Sequence, residues 1–261
     1  MKTAYLESIY YREAGAGFPL LILHGGWGYE VYPFDRAIEA LSGRFRILIP
    51  DRSGYGRSTP ISKLPVDFHQ RAAAETIRFL DALNIQRAVL WGHSDGAVIA
   101  ALLGLTAPQR FAALILEAFH YTKAKAGSVD FFRSMIAEPE IVGRRAMSAL
   151  ARDHGPQWRE VLARNATAWL DIVQSPAGDL YDGRLPELQV PALFIQGSLD
   201  PRTEPGDLEA IRRDLPQATL RIIENAGHSP HSEPASADEC VRIVKEFLSR
   251  FYPRPSVSIR G

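Results

Sequence analysis

The most constraining feature of this chain is a short turn wedged between two apolar segments. The branched and aromatic run at 88–91 passes directly into Gly92-His93-Ser94-Asp95-Gly96, and an apolar stretch follows from Ala97. A strand that reverses this sharply into a helix leaves the central serine at the tip of the turn, with its hydroxyl projecting outward. Ser94 must then adopt a strained backbone, and side chains two residues either way would strike the neighbouring strand and helix, so glycine stands at both places. The helix that begins here points its N-terminal partial positive charge at whatever reacts with Ser94.

The rest of the chain supplies the frame such a turn requires. Short aliphatic runs at 20–23, 46–49, 88–92, 113–116, 192–196 and 220–223 alternate with helical patterns at 35–41, 67–83, 97–105, 208–214 and 237–251. That alternation predicts an α/β fold: a mostly parallel sheet buried on both faces by helices. Residues 4–14 read as an antiparallel edge strand or hairpin leading into it. Between 120 and 185 the rhythm stops, and helical pieces at 131–136, 140–151 and 157–173 are punctuated by Pro139, Gly143, Gly155 and Pro176. We expect a helical cap over 120–185, inserted into a core made of 1–119 and 186–261. The tail at 253–261, with two prolines and little apolar content, is expected to be a loose terminus.

A serine hydroxyl is a weak nucleophile until a base takes its proton. Seven histidines are available, and strand-end position sorts them, because open parallel sheets place their sites at the carboxyl ends of strands. His228, in Asn225-Ala226-Gly227-His228-Ser229-Pro230-His231, follows the last strand, and Gly227 lets the loop bend; His231 is its rival. His93 belongs to the turn itself, with its side chain packed inward. His69, His120 and His154 lack strand-end context and read as solvated or structural. The acid that would orient the base is Asp200, after the strand at 192–196, with Glu117 at the end of the strand at 113–116 as competitor. Donors for an oxyanion are the N–H of Asp95 and one from His24-Gly25-Gly26-Trp27-Gly28, at Gly26 before Trp27. The Asp95 side chain either caps the helix or faces the substrate and holds a cation. Candidate pocket residues are Trp27, Phe119 and Trp169, with Phe131, Phe132, Met135 and Trp158 on the inserted helices.

With 46% hydrophobic and 23% charged residues and a formal net charge of +0, the chain has no basic face to offer nucleic acid or an anionic membrane. No apolar run approaches the roughly 20 residues that span a bilayer. The lone Cys240 sits in a helical pattern and reads as packing. Metal-ligand clusters, phosphate loops and dinucleotide fingerprints are lacking, so neither metal nor cofactor is expected. A cytoplasmic setting and a small-molecule ester substrate are the expectations, and the oligomeric state is left open.

Taken together, His24-Gly25-Gly26, Asp51-Arg52-Ser53-Gly54-Tyr55-Gly56-Arg57-Ser58, Gly92-His93-Ser94-Asp95-Gly96 and Gly227-His228 resemble the α/β-hydrolase superfamily over nearly the whole chain. The resemblance implies the α/β-hydrolase fold and a triad in the order Ser94, Asp200, His228, which favours Asp200 over Glu117. The second motif is a turn element of the family, which usually has Arg or Pro where this chain has Ser53. The Ser-Asp-Gly turn and Pro65-Val66-Asp67-Phe68 look like valacyclovir-hydrolase-type esterases, which implies small esters and a four-helix-like cap. Haloalkane dehalogenases and epoxide hydrolases of this fold carry aspartate at the nucleophile position, unlike Ser94. Lactonases and carbon–carbon bond hydrolases keep serine, so those activities stay open, as does a small-molecule-binding protein with little turnover.

Overall fold

The structure is a computed structural model that describes residues 1–123, 125, 127–176 and 179–251. The tail expected to be loose, 253–261, lies outside the described residues. The N-terminal pattern forms a hairpin, β1 (Lys2–Leu6) and β2 (Ile9–Ala14), turning through Glu7 at φ 53°. The six predicted strands follow as β3 (Phe18–Leu23), β4 (Phe45–Pro50), β5 (Ala88–His93), β6 (Phe111–Glu117), β7 (Ala192–Gly197) and β8 (Thr219–Ile223). They form one eight-stranded sheet in the order β1-β2-β4-β3-β5-β6-β7-β8. Only the β1–β2 and β2–β4 pairings are antiparallel.

The helices are α1 (Asp35–Leu41), α2 (Phe68–Ala82), α3 (Asp95–Thr106), α4 (Ser128–Ala137), α5 (Gly143–His154), α6 (Trp158–Gln174), α7 (Pro205–Asp214) and α8 (Ala237–Ser249). Successive strand residues alternate between two apolar layers. Leu21, Leu23, Leu90, Leu114 and Leu116 pack with α2 and α3 on one face. Leu20, Ile22, Val89, Trp91, Ala113 and Ile115 pack with α1 and α8 on the other. Burial on both faces is why these strands read as unbroken apolar runs instead of alternating ones. Cys240 is buried in the second layer.

Helix α3 starts at Asp95, two residues before apolar periodicity placed it, because its first turn is polar and periodicity registers only the buried face. Between β6 and β7 the described residues hold three α-helices joined by short 3₁₀ turns, where the resemblance implied a four-helix-like unit. Among the described residues no helix is long and apolar enough to cross a membrane. The carboxyl ends of β3, β5, β6, β7 and β8 converge at one end of the sheet, below α4–α6. There the chain places Ser94, His228 and Asp200.

Candidate active site

Ser94 leaves β5 at φ 54° and ψ −118°, a combination that non-glycine residues adopt at a cost of about 1–3 kcal/mol. Its N–H donates to the Glu117 carbonyl at 2.9 Å, and its own carbonyl accepts from Ala97 at 2.8 Å, so strand and helix both hold the turn. A Cβ on Gly92 would collide with the Gly96 carbonyl, and one on Gly96 with the Leu23 carbonyl. The two glycines are therefore required by close backbone approach, as the motif suggested.

His228 Nε2 lies 3.0 Å from Ser94 Oγ, and Nδ1 lies 2.9 Å from Asp200 Oδ1. Asp200 also accepts from the Arg202 N–H at 2.8 Å and from Thr203 Oγ1 at 3.0 Å. Burial pushes the Asp200 carboxyl up, but the charge and hydrogen bond of His228, with those two donors, pull it down to about 2. The loop holding His228 is anchored by Glu233, which accepts from Gly227 N at 2.8 Å and Ser229 N at 3.0 Å. Gly227 does not occupy a left-handed conformation, so the flexibility expected of it is not what the loop uses. The glycine this loop needs is Gly197, where a Cβ would strike the carbonyls of Ala226 and Gly227.

The rival acid and the rival base bind each other. Glu117 Oε1 accepts from His231 Nδ1 at 2.8 Å and from His231 N at 2.9 Å, while Oε2 accepts from Trp91 Nε1 at 2.9 Å. His231 Nε2 lies 3.0 Å from the Tyr32 carbonyl, and its ring stacks on Phe34 at 3.7 Å. Neither reaches Ser94. His93 Nε2 donates to the His228 carbonyl at 3.1 Å, with Ser229 Oγ at 2.9 Å, so its side chain supports the loop rather than merely filling core. Burial, with the charges of His231 and His228, brings the His93 imidazole down to about 3.

His120 corrects the reading of this residue as solvated or structural. Its Nε2 lies 3.4 Å from Ser94 Oγ, and its ring stacks on His228 at 6.0 Å and meets Trp169 edge-on at 5.3 Å. Burial, then the charges of Lys125 and Arg202, hold it well below the ordinary histidine value. The signal was available: His120 follows the end of β6, the strand beside β5, by three residues. His69 and His154 are structural. His69 Nε2 lies 3.4 Å from Asp95 Oδ1, and His154 accepts from Gly56 N at 3.0 Å and donates to the Trp27 carbonyl at 3.0 Å.

The glycine loop after β3 is pinned by His24, whose Nδ1 donates to the Gly25 carbonyl at 2.7 Å, and by Arg52, whose Nη2 donates to the same oxygen at 2.8 Å. That contact gives the Asp51–Ser58 turn a structural purpose. Gly26, Trp27 and Asp95 line the same cavity as Ser94 and His228, a space of about 640 Å³. Asp95 opens α3, where a backbone N–H has no partner inside the helix.

The Asp95 side chain is neither a cap nor open to the cavity. Its carboxylate accepts from Trp169 Nε1 at 2.9 Å and Asn165 Nδ2 at 2.9 Å as well as His69, and the residue is 1% exposed. Burial would raise its pKa, yet His69, Arg52 and Asn165 hold the carboxyl well below the ordinary range. Trp27, Trp169, Phe131 and Phe132 line the cavity. Phe119 does not: it is fully buried, stacked on Tyr181 at 5.5 Å and edge-on to Phe194 at 5.1 Å. Met135 and Trp158 are likewise packed in the apolar layer instead of the cavity wall.

Comparison with known proteins agrees with this architecture. The chain is similar to the human serine hydrolase BPHL, 24% identical with 92% of this chain and 82% of that one covered. It is similar to the pimeloyl-[acyl-carrier protein] methyl ester esterase of Serratia marcescens, at 26% identity over 94% of this chain and 99% of that one. A thermophilic esterase from Thermogutta terrifontis superposes with a TM-score of 0.71 at 22% identity, covering 93% of each chain. The alpha/beta hydrolase family profile matches residues 20–242, and with the eight-stranded sheet and its serine turn this places the chain in the alpha/beta hydrolase family.

Proposed function

We propose that the protein hydrolyses carboxylic esters of small molecules through an acyl-enzyme, with Ser94 as nucleophile, His228 as base and Asp200 as its orienting acid. The observation that carries this is the single imidazole bridging Ser94 Oγ at 3.0 Å and Asp200 Oδ1 at 2.9 Å. As Ser94 Oγ attacks the ester carbonyl, its proton passes to His228 Nε2, and Asp200 stabilises the imidazolium. The N–H groups of Gly26 and Asp95 receive the tetrahedral oxyanion; each such donor lowers the barrier by about 3–4 kcal/mol. Collapse expels the alcohol, which takes the proton from Nε2. Water then repeats the sequence at the acyl carbonyl and restores Ser94. Residues 120–185 act as the cap, closing the cavity over Ser94 with Phe131, Phe132 and Trp169.

A protein that only bound its ligand would have no use for the strained φ of Ser94 or for a paired base aimed at its hydroxyl. The test is Ser94→Ala assayed on short p-nitrophenyl esters. Turnover should fall by about 10³-fold or more with the fold intact by circular dichroism. Wild-type turnover in the variant would mean that the nucleophile lies elsewhere.

A further inference from the structure

Arg202 stands two residues past Asp200 and turns its side chain into the cavity that holds Ser94 and His228. Its guanidinium lies against three rings of α4 and α6, at 4.7 Å from Phe132, 5.5 Å from Phe131 and 5.9 Å from Trp169. Nη1 donates to Ser128 Oγ at 3.1 Å. Nε and Nη2 make no hydrogen bond among the described residues. Those two N–H groups form the side-on edge of the fork, the face that grips a carboxylate in two parallel bonds.

No carboxylate oxygen lies within 4.0 Å of that guanidinium among the described residues. Arg202 is half-buried, and a guanidinium partly withdrawn from water is ordinarily paired. Burial lowers the Arg202 pKa even though Asp95, Asp200 and Asp207 pull the other way. The carboxylates that act on Arg202, and Glu233 on the cavity wall, have partners of their own. Asp95 is held by His69, Asn165 and Trp169, and Glu233 by the N–H groups of Gly227 and Ser229. Asp207 pairs with Lys125 at 2.6 Å, and Asp200 serves His228. At the cavity mouth stands a second cation, the exposed Arg145 of α5. The guanidinium donors of Arg202 are therefore left without a carboxylate in direct contact.

We propose that Arg202 is the anion-recognition residue of this site and that the substrates are esters or lactones bearing a free carboxylate, which the Nε–Nη2 edge holds while the reacting carbonyl meets Ser94. One fork deep in the cavity matches one negative charge. The proposal rests on the ester-hydrolase reading for its chemistry, and it specifies the substrate class. A neutral substrate leaves the cation unpaired, and that penalty is what creates the preference.

The test compares kcat/KM for mono-p-nitrophenyl glutarate and p-nitrophenyl valerate in wild type, Arg202→Met and Arg202→Lys. Wild type should prefer the carboxylate ester by about 10- to 100-fold, the range of a charge-assisted pair. Arg202→Met should bring the ratio near one, and Arg202→Lys, which keeps charge and loses the fork, should fall between. A residue that only clamps the helices would lower both rates and leave the ratio intact, which overturns the proposal. So would a wild type that shows no preference. Calorimetry with glutarate gives a readout free of turnover. If wild type cleaves neither ester, the hydrolase reading fails on its own. Glutarate binding weakened tenfold or more by Arg202→Met would still support the anion site, and absence of binding by wild type would overturn it.

Discussion

Two imidazole–carboxylate pairs sit at the same end of the sheet and differ chiefly in what faces the far ring nitrogen. Asp200–His228 closes at 2.9 Å and Glu117–His231 at 2.8 Å. Beyond His228 lies the Ser94 hydroxyl, which can give a proton; beyond His231 lies the Tyr32 carbonyl, which can only accept one. The His228 side chain is 19% exposed and faces the cavity, whereas that of His231 is 0% exposed and stacked on Phe34. A buried carboxylate beside an imidazole does not make a base. The third partner does, and on the function proposed above it suits one pair to proton transfer and leaves the other as a lock that holds the loop carrying His228.

The largest effect expected from this contrast is on rate. Asp200→Asn should lower kcat by about 10⁴-fold, because the imidazole loses the partner that fixes its tautomer, while the melting temperature moves little. Equal or deeper loss in Glu117→Gln, per folded molecule, would reverse the assignment of the two pairs.

Glu117→Gln should act on stability instead. Removing one member of a fully buried pair leaves its partner uncompensated, a cost of about 3–5 kcal/mol. Urea unfolding should show that drop, with kcat of the folded fraction within about tenfold of wild type. An unchanged unfolding midpoint would break the reading of this pair as a lock.

The histidines around both pairs set a pH dependence of a fixed sign. His93 is brought to about 3, and burial also lowers His24, His69 and His120. A histidine whose folded pKa lies below its unfolded value of about 6.5 binds its proton more tightly when unfolded. Its stabilising contribution is complete above about pH 6.5 and is lost as pH falls toward the folded value, at up to about 1.4 kcal/mol per pH unit for each group. Unfolding free energy measured between pH 7 and 5 should decline, ahead of the carboxylates, whose lowered values place their losses further down. A flat profile over that window would remove the buried neutral histidines from the account.

The smallest effect concerns His120. At 3.4 Å its contact with Ser94 is at the weak end of hydrogen bonding, against 3.0 Å for His228. His120→Gln should cost less than about tenfold in kcat, under about 1.4 kcal/mol. A loss as deep as that of His228→Ala would transfer the role of base to His120.

The sheet, the serine turn and the strand-end positions of Asp200 and His228 are legible in the sequence. So is the helical interruption between β6 and β7. Where the reading went astray, the cause was contact between distant parts of the chain. Phe119 looked like a pocket residue from its place after a strand, but Tyr181 and Phe194 cover it. Asp95 looked like a cap from its place at a helix start, but its partners come from 26, 70 and 74 residues away.

The sequence by itself determined what short-range sterics and burial determine. Glycines at 92 and 96 are needed wherever a strand folds back this tightly, and apolar runs become strands when both faces of a sheet are covered. Only the tertiary structure decided which carboxylate meets which imidazole, that His120 comes within 3.4 Å of Ser94, and that Arg202 lines the cavity against three rings. Pairings such as Glu117 with His231, 114 positions apart, leave no local pattern. A side chain's partners are settled by packing after the backbone has folded, not by its neighbours in the chain.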